Sequence, residues 1–162
     1  IDGTNIRIMW DGEKVTFGGK TDAAQIYAPL ITYLQEKFYA GALSKIFDGP
    51  ACLYGEGFGA KIQKGGGNYI PDRVEFCLFD AYIGSIWIER NNLEDIANRL
   101  GIPIVPVVGR GTLDEAVCLV KTGFNSVWGN FQAEGLVMRP SLELNDRRGH
   151  RIITKIKCRD FK

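Results

Sequence analysis

Histidine is almost missing from this chain: His150 stands alone among 162 residues. The four cysteines, Cys52, Cys77, Cys118 and Cys158, lie far apart and form no Cys-x-x-Cys pair. A structural zinc site therefore has no ligand set to build on. No run approaches the ~20 apolar residues of a membrane span, and no signal peptide is visible. The chain has no Gly-x-x-x-x-Gly-Lys-Ser/Thr loop, which excludes a P-loop. Its glycine run, Gly55-Glu56-Gly57-Phe58-Gly59, lacks both the spacing and the βαβ context of a dinucleotide fold. Cys77 and Cys118 sit in apolar stretches and read as reduced core residues. That fits an intracellular, cytoplasmic protein.

What is present is an ordinary globular composition, 45% hydrophobic and 24% charged, in a length suited to one domain. Net charge is only +1, but it is unevenly placed. From Arg139 onward eight Lys/Arg face three Asp/Glu, a net of +5. The preceding residues hold twelve Lys/Arg against sixteen Asp/Glu, a net of −4. A basic end of this kind suits polyphosphate or nucleic acid.

Hydrophobic periodicity gives the elements. Ile6, Ile8 and Trp10 alternate with Arg7 and Met9, so residues 4–19 read as a β-hairpin with a tight turn at Asp11-Gly12. A helix is expected over 22–39, capped by Thr21 or Asp22, with Gly41 as its stop. Residues 50–63 read as strand, turn, strand, and Gly65–Gly67 as a mobile loop. A buried strand is expected over 73–83 and a short one over 86–88. A second helix is expected over 93–100 between Asn92 and Gly101. An edge strand follows over 102–108, interrupted by Pro103 and Pro106. Thr112-Leu113-Asp114-Glu115 has capping-box spacing and opens a third helix ending near Gly123. Strands at 135–139 and 152–157 close the chain around a polar turn. The order predicts an α+β fold with largely antiparallel sheets.

Five short stretches stand out in order: Ile1-Asp2-Gly3-Thr4-Asn5, Tyr54-Gly55-Glu56-Gly57, Phe76-Cys77-Leu78-Phe79-Asp80, Glu134-Gly135-Leu136-Val137-Met138-Arg139-Pro140 and Lys155-Ile156-Lys157. Some are weak alone. Asp-Gly is a common turn, and Lys-x-Lys on a strand is often a solvated face. Side-chain period two nevertheless puts both amines of the last stretch on one side. It also separates Phe76 from Phe79, with Phe79 expected in the core.

Together the five stretches resemble the covalent nucleotidyltransferase superfamily, and within it the ATP-dependent RNA ligases. The resemblance covers nearly the whole chain, and its most specific part is the Glu-Gly-Leu-Val-Met-Arg-Pro run. It implies two antiparallel sheets flanked by helices around a nucleotide pocket. It also implies a lysine nucleophile just before Ile1, absent from this sequence, and a C-terminal module beyond Lys157. Ile1 and Asp2 would border that nucleophile, Ile1 against the nucleotide and Asp2 among the catalytic residues with Glu134, Lys155 and Lys157. Asn5, where DNA ligases and capping enzymes typically carry Arg, would contact ribose or phosphate. Lys20, after the first hairpin, would contact phosphate or ribose. Glu56 would accept from ribose hydroxyls and Phe76 would stack on adenine. Glu134 would organise a hydrated Mg²⁺ or Mn²⁺, and Lys155 and Lys157 would grip the α-phosphate.

The implied activity is ATP-dependent RNA joining. A lysyl-AMP adduct forms, AMP passes to an RNA 5′-phosphate, and a 3′-hydroxyl then seals the strand. A nicked duplex is one candidate substrate, and RNA repair the implied setting. Neither zinc nor a membrane is expected to take part. The alternative enzymes are an ATP-dependent DNA ligase or an mRNA-capping guanylyltransferase. The non-enzyme alternative is a nucleotide-binding remnant lacking its nucleophile.

Overall fold

The computed structural model describes residues 1–161. The chain falls into two compact units, one spanning Ile1–Val105 and the other running from Pro106 onward.

The first unit is built on a five-stranded antiparallel sheet of order β2-β1-β3-β4-β5. β1 (Thr4–Trp10) and β2 (Val15–Gly18) form the expected hairpin. Its turn is longer than Asp11-Gly12 suggested. Trp10 pairs with Val15, and the Asp11 carboxylate accepts from the backbone N–H groups of Glu13 and Lys14. That carboxylate bond fixes a four-residue connection. β3 (Ala51–Gly59) is one uninterrupted strand in place of the strand–turn–strand expected over 50–63. β4 (Val74–Ile83) and β5 (Ile86–Trp87) complete the sheet.

The first helix, α1 (Ala28–Lys37), begins later than the periodicity predicts. Pro29 occupies its first turn, where a missing N–H costs nothing. Gly41 lies inside a short following turn of helix, α2 (Ala40–Leu43), and is not a stop. α3 (Arg90–Leu100) ends at Gly101 in the left-handed conformation, φ 61°, as expected for a glycine cap. The edge strand expected over 102–108 reduces to a single parallel bridge, Leu78 to Ile104.

Alternation assigns the sheet its two faces. Ile6, Ile8 and Trp10 of β1 are buried with Leu30 and Leu34 from α1, with Phe38 just beyond its end, and with Leu93 and Ile96 from α3. Gly55 and Gly57 lie on this face, and two phenylalanines pack there. The Phe76 ring meets Phe38 edge-on at 5.4 Å between centroids. A Cβ on Gly55 would come within 2.2 Å of that ring.

The second unit pairs a two-stranded sheet with one helix. α4 (Leu113–Thr122) carries the capping box predicted from Thr112 and Glu115, both of its hydrogen bonds being formed. It ends at Gly123. β6 (Gly135–Met138) pairs antiparallel with β7 (Thr154–Lys157). A small core of Val120, Ile156 and Cys158 joins them, with Val117, Phe124 and Leu136 packed alongside. Cys118, expected in a core, is exposed. The helix turns Val120 inward, and a residue two positions away falls on a different side. All four cysteines are free thiols. No helix among the described residues is long and apolar enough to cross a membrane.

Replacing Gly55 with alanine forces its methyl into the Phe76 ring, an overpacked core that typically costs about 1–3 kcal/mol. A lowered urea midpoint for Gly55→Ala is the expected result. An unchanged midpoint would show that the ring has room to move.

Candidate functional site

The face of the first sheet opposite its core is polar, and strand register fills it. Asn5 pairs with Glu56, and Glu56 with Cys77. The next row holds Arg7, Tyr54 and Asp80. Directly opposite residues share a face, so Asn5 and Glu56 meet. The Asn5 amide donates to a Glu56 carboxylate oxygen at 3.0 Å. This fixes the carboxylate's orientation, and an ionised carboxylate offers about four acceptor positions.

Gly3 makes this geometry attainable. A Cβ there would lie 2.4 Å from the Gly57 carbonyl oxygen and 2.7 Å from Glu56 Cγ. The backbone of Asp2-Gly3 is therefore pressed directly against Glu56. The loop after β3 holds it from another side. The Tyr69 hydroxyl accepts from the Asp2 N–H at 3.1 Å, and the Tyr69 ring meets Phe58 edge-on at 6.0 Å. Gly65, in the same loop, faces the Asp2 carboxylate. The loop is ordered by a short 3-10 turn at Gly66–Asn68. Its middle glycine, Gly66, is buried.

Lys20 is exposed in the turn that follows β2. Arg7 ties that turn down, donating to the Gly19 carbonyl at 2.9 Å and to the Asp22 carboxylate at 2.6 Å. Arg7 and Tyr69 are the contributors that sequence reading missed. Arg7 carries a usable signal, since it lies two residues from Asn5 on one strand. Tyr69 carries none, because its contact spans 67 residues.

Phe76 corrects the sequence expectation. It is fully buried on the core face, paired with Gly57, so its ring offers no free face to a base in this structure. Phe79 is half-buried and not part of the core. A register shift between Tyr54 and Gly55 lies opposite it, which breaks the simple count from 76 to 79. Cys77 takes the outward row beside Glu56, but burial pushes its thiol up to about 12. That removes it as a nucleophile at neutral pH. Tyr54 is likewise pushed up to about 12, by burial first and then by its hydrogen bond with Cys52. It remains a neutral phenol. A hollow of about 380 Å³ near Phe47, Pro50, Ile83 and Arg99 is lined by none of these residues.

In the second unit, β6 and β7 bring three charges together. Gly135 pairs with Lys157 and Val137 with Lys155, which puts both lysines on the side away from α4. The Lys157 ammonium donates to Glu134 Oε1 at 2.5 Å. Lys155 stands 3.6 Å from the same oxygen. Lys155 is half exposed, whereas Lys157 and Glu134 are each about three-quarters covered. Burial alone would raise the Glu134 carboxyl. The Lys157 hydrogen bond and the charges of both lysines outweigh it and hold the group below its ordinary value of 4.5.

Among the described residues no group of three His, Cys, Asp or Glu is placed to hold a metal ion. Glu134 is a single carboxylate already engaged by two ammonium groups. Such a donor fits a hydrated cation carried by a polyphosphate, reached through water, and does not fit a resident metal centre.

The sign of the Glu134 shift sets a pH dependence. A carboxyl with a depressed folded value contributes stability above its unfolded value and loses it as pH falls through the folded one. Glu134→Gln should flatten the fall in melting temperature between about pH 5 and pH 3. Identical acid limbs in the two proteins would overturn the assignment.

Comparison with known proteins agrees with the motif order. The RNA ligase family profile matches residues 1–157. No curated protein matches the sequence. Among solved structures, Naegleria gruberi RNA ligase with a lysine-to-alanine substitution, ATP and Mn superposes at a TM-score of 0.75 and 17% identity. The same ligase with PPi gives 0.75 and 16%. A lysine-to-methionine variant with AMP and Mn gives 0.74 and 18%. Each match covers 99% of this chain and 48% of the ligase, so the chain spans about half the length of these relatives. At this level of identity the likeness establishes the nucleotidyltransferase-type α+β fold. The profile match over nearly the whole length settles the family: this chain belongs to the RNA ligases.

Proposed function

We propose that the protein containing this chain is an ATP-dependent RNA ligase and that these residues form its adenylation module. The observation that carries the reading is the Glu134–Lys155–Lys157 cluster on β6 and β7, at the positions where the family motifs call for it. The solved relatives bound to ATP, AMP, PPi and Mn support nucleotide and divalent-metal use.

The chemistry assigns each group a task. The amine of a lysine preceding Ile1 attacks the α-phosphorus of ATP. A nitrogen–phosphorus bond forms, the bond to the bridging oxygen breaks, and pyrophosphate leaves with that electron pair. Asn5 and Glu56 hold the ribose, Glu56 accepting from its hydroxyls. Lys20 meets phosphate or ribose. Ile1 and Asp2 border the nucleophile, and Tyr69 and Gly3 fix the backbone that carries it.

Lys155 and Lys157 stabilise charge on the phosphoryl group as it is transferred. Mg²⁺ or Mn²⁺ arriving with ATP would screen the phosphates, with Glu134 the residue to hold it through water. AMP then passes to an RNA 5′-phosphate, and a 3′-hydroxyl displaces it to join the strands. Phe76 has no part in this scheme, because its ring is enclosed.

Glu134→Ala or Lys155→Ala in the full-length protein should abolish the lysyl-AMP band formed from α-labelled ATP. A normal band from either variant would overturn the reading. Labelled GTP in place of ATP tests the capping alternative. Nicks with ribose or deoxyribose at the 3′ end separate RNA from DNA joining. Asn5 favours the RNA outcome.

A further inference from the structure

The connection between β6 and β7 reaches out from the lysine pair as a second, irregular hairpin. Beyond β6 the chain runs out through Leu142 and Leu144, turns at Asp146–Gly149 and returns through Arg151 and Ile152 into β7. The two sides are joined by the Asn145–Arg151 bridge and by the bond from the Ile152 N–H to the Leu144 carbonyl, 2.8 Å. The tip is firmly built. The Gly149 N–H donates to the Asp146 carbonyl at 3.0 Å, and the Asp146 N–H to the His150 carbonyl at 2.7 Å. Gly149 has φ 82°, as in a type I turn closed by a left-handed residue. One Asp146 carboxylate oxygen accepts from the N–H groups of Arg148 and His150, each at 2.8 Å.

This turn leaves Arg147 and Arg148 at its two central positions, both exposed. The acids nearby are engaged. Glu143 holds Arg151 through two nitrogens, and Asp146 is committed to the turn's own N–H groups and to His150 at 3.4 Å. Among the described residues, Arg147 and Arg148 make no ion pair. Arginine presents a planar fork of donors that matches a phosphate, and it is less strongly hydrated than an ammonium group. The fixed turn removes the backbone's share of the ordering cost when they meet an anion, leaving that of the two side chains.

We infer that the Arg147–Arg148 tip is a phosphate-gripping element for the RNA backbone, away from the ends being joined. The inference rests on the ligase reading and extends it. At ~3.3 Å per residue, the tip lies at most about 25 Å along the chain from Lys155. It belongs to the connection that joins β6 to β7, and β7 carries both lysines, so RNA held at the tip stays within that reach of them. A docking site for an acidic protein is the competing use of the same charges.

The test uses the full-length protein and a labelled 5′-phosphorylated RNA, with affinity read by fluorescence anisotropy across a salt series. Each phosphate contact contributes about 0.7 to 0.9 to the slope of log affinity against log salt. The double variant Arg147→Ala/Arg148→Ala should bind more weakly, with a slope shallower by about 1.4 to 1.8. Arg147→Lys/Arg148→Lys should keep most of the slope, which guards against a folding defect. Lysyl-AMP formation from ATP without RNA should be unchanged in both. An unaltered slope and affinity in the alanine variant would overturn the inference, leaving either a solvated turn or a protein contact. Weaker binding at an unaltered slope would overturn it too. Absence of lysyl-AMP in the unaltered protein would instead sink the ligase reading, while the slopes still decide whether the tip holds RNA phosphates.

Discussion

Strand alternation in β1 is the constraint from which the first unit follows. Ile6, Ile8 and Trp10 must enter the core, so Asn5 and Arg7 must point the other way. Pairing with β3 then sets Glu56 opposite Asn5. A slip of one residue would bury both polar groups and expose the isoleucines. The apolar face thus holds the polar face in register, at no separate cost in binding residues. Gly3 and the Tyr69 hydroxyl act on an arrangement that hydrophobic burial has already fixed.

The second unit solves a different problem. Burying a carboxylate is unfavourable unless it is paired, and Glu134 is paired twice. Two ammonium groups around one carboxylate leave a net positive charge on the face of β6 and β7. That surplus is the electrostatic ground for proposing that the cluster meets a phosphate. The same reasoning separates the basic residues of this region. Arg151 is consumed by Glu143 and serves the hairpin, whereas Arg147 and Arg148 remain available.

Much of this was legible in the sequence where one signal dominated. The Thr112 capping box, the Gly101 and Gly123 helix ends and the Lys-x-Lys face rest on local chemistry and formed as expected, as did the strands of the first hairpin, though not its tight turn. The misread elements have separate causes. Phe76, Cys77 and Leu78 are all fully buried, and a continuous apolar run carries no alternation from which to choose a face. Pro29 moved the start of α1 by several residues, and the segment before it became a turn tied by Arg7. Cys118 illustrates the opposite error, since an apolar neighbourhood in sequence was read as burial in space. Of the site, the motif residues could be found by pattern. Tyr69 could not, because nothing local marks a hydroxyl that meets a backbone N–H from so distant a segment.

The register shift between Tyr54 and Gly55 has a bearing on how this sheet tolerates change. On the Gly55 side Cys77 faces outward with Glu56, and on the Tyr54 side Asp80 does so with Tyr54. The spacing between those outward residues is odd, so the strand changes phase within its own length. Point substitutions leave that dislocation untouched. A single-residue insertion or deletion in β4 would displace it and invert one half of the strand relative to the other. The central strands should therefore accept substitutions more readily than changes of length, and length variation should collect in the connections that enclose them.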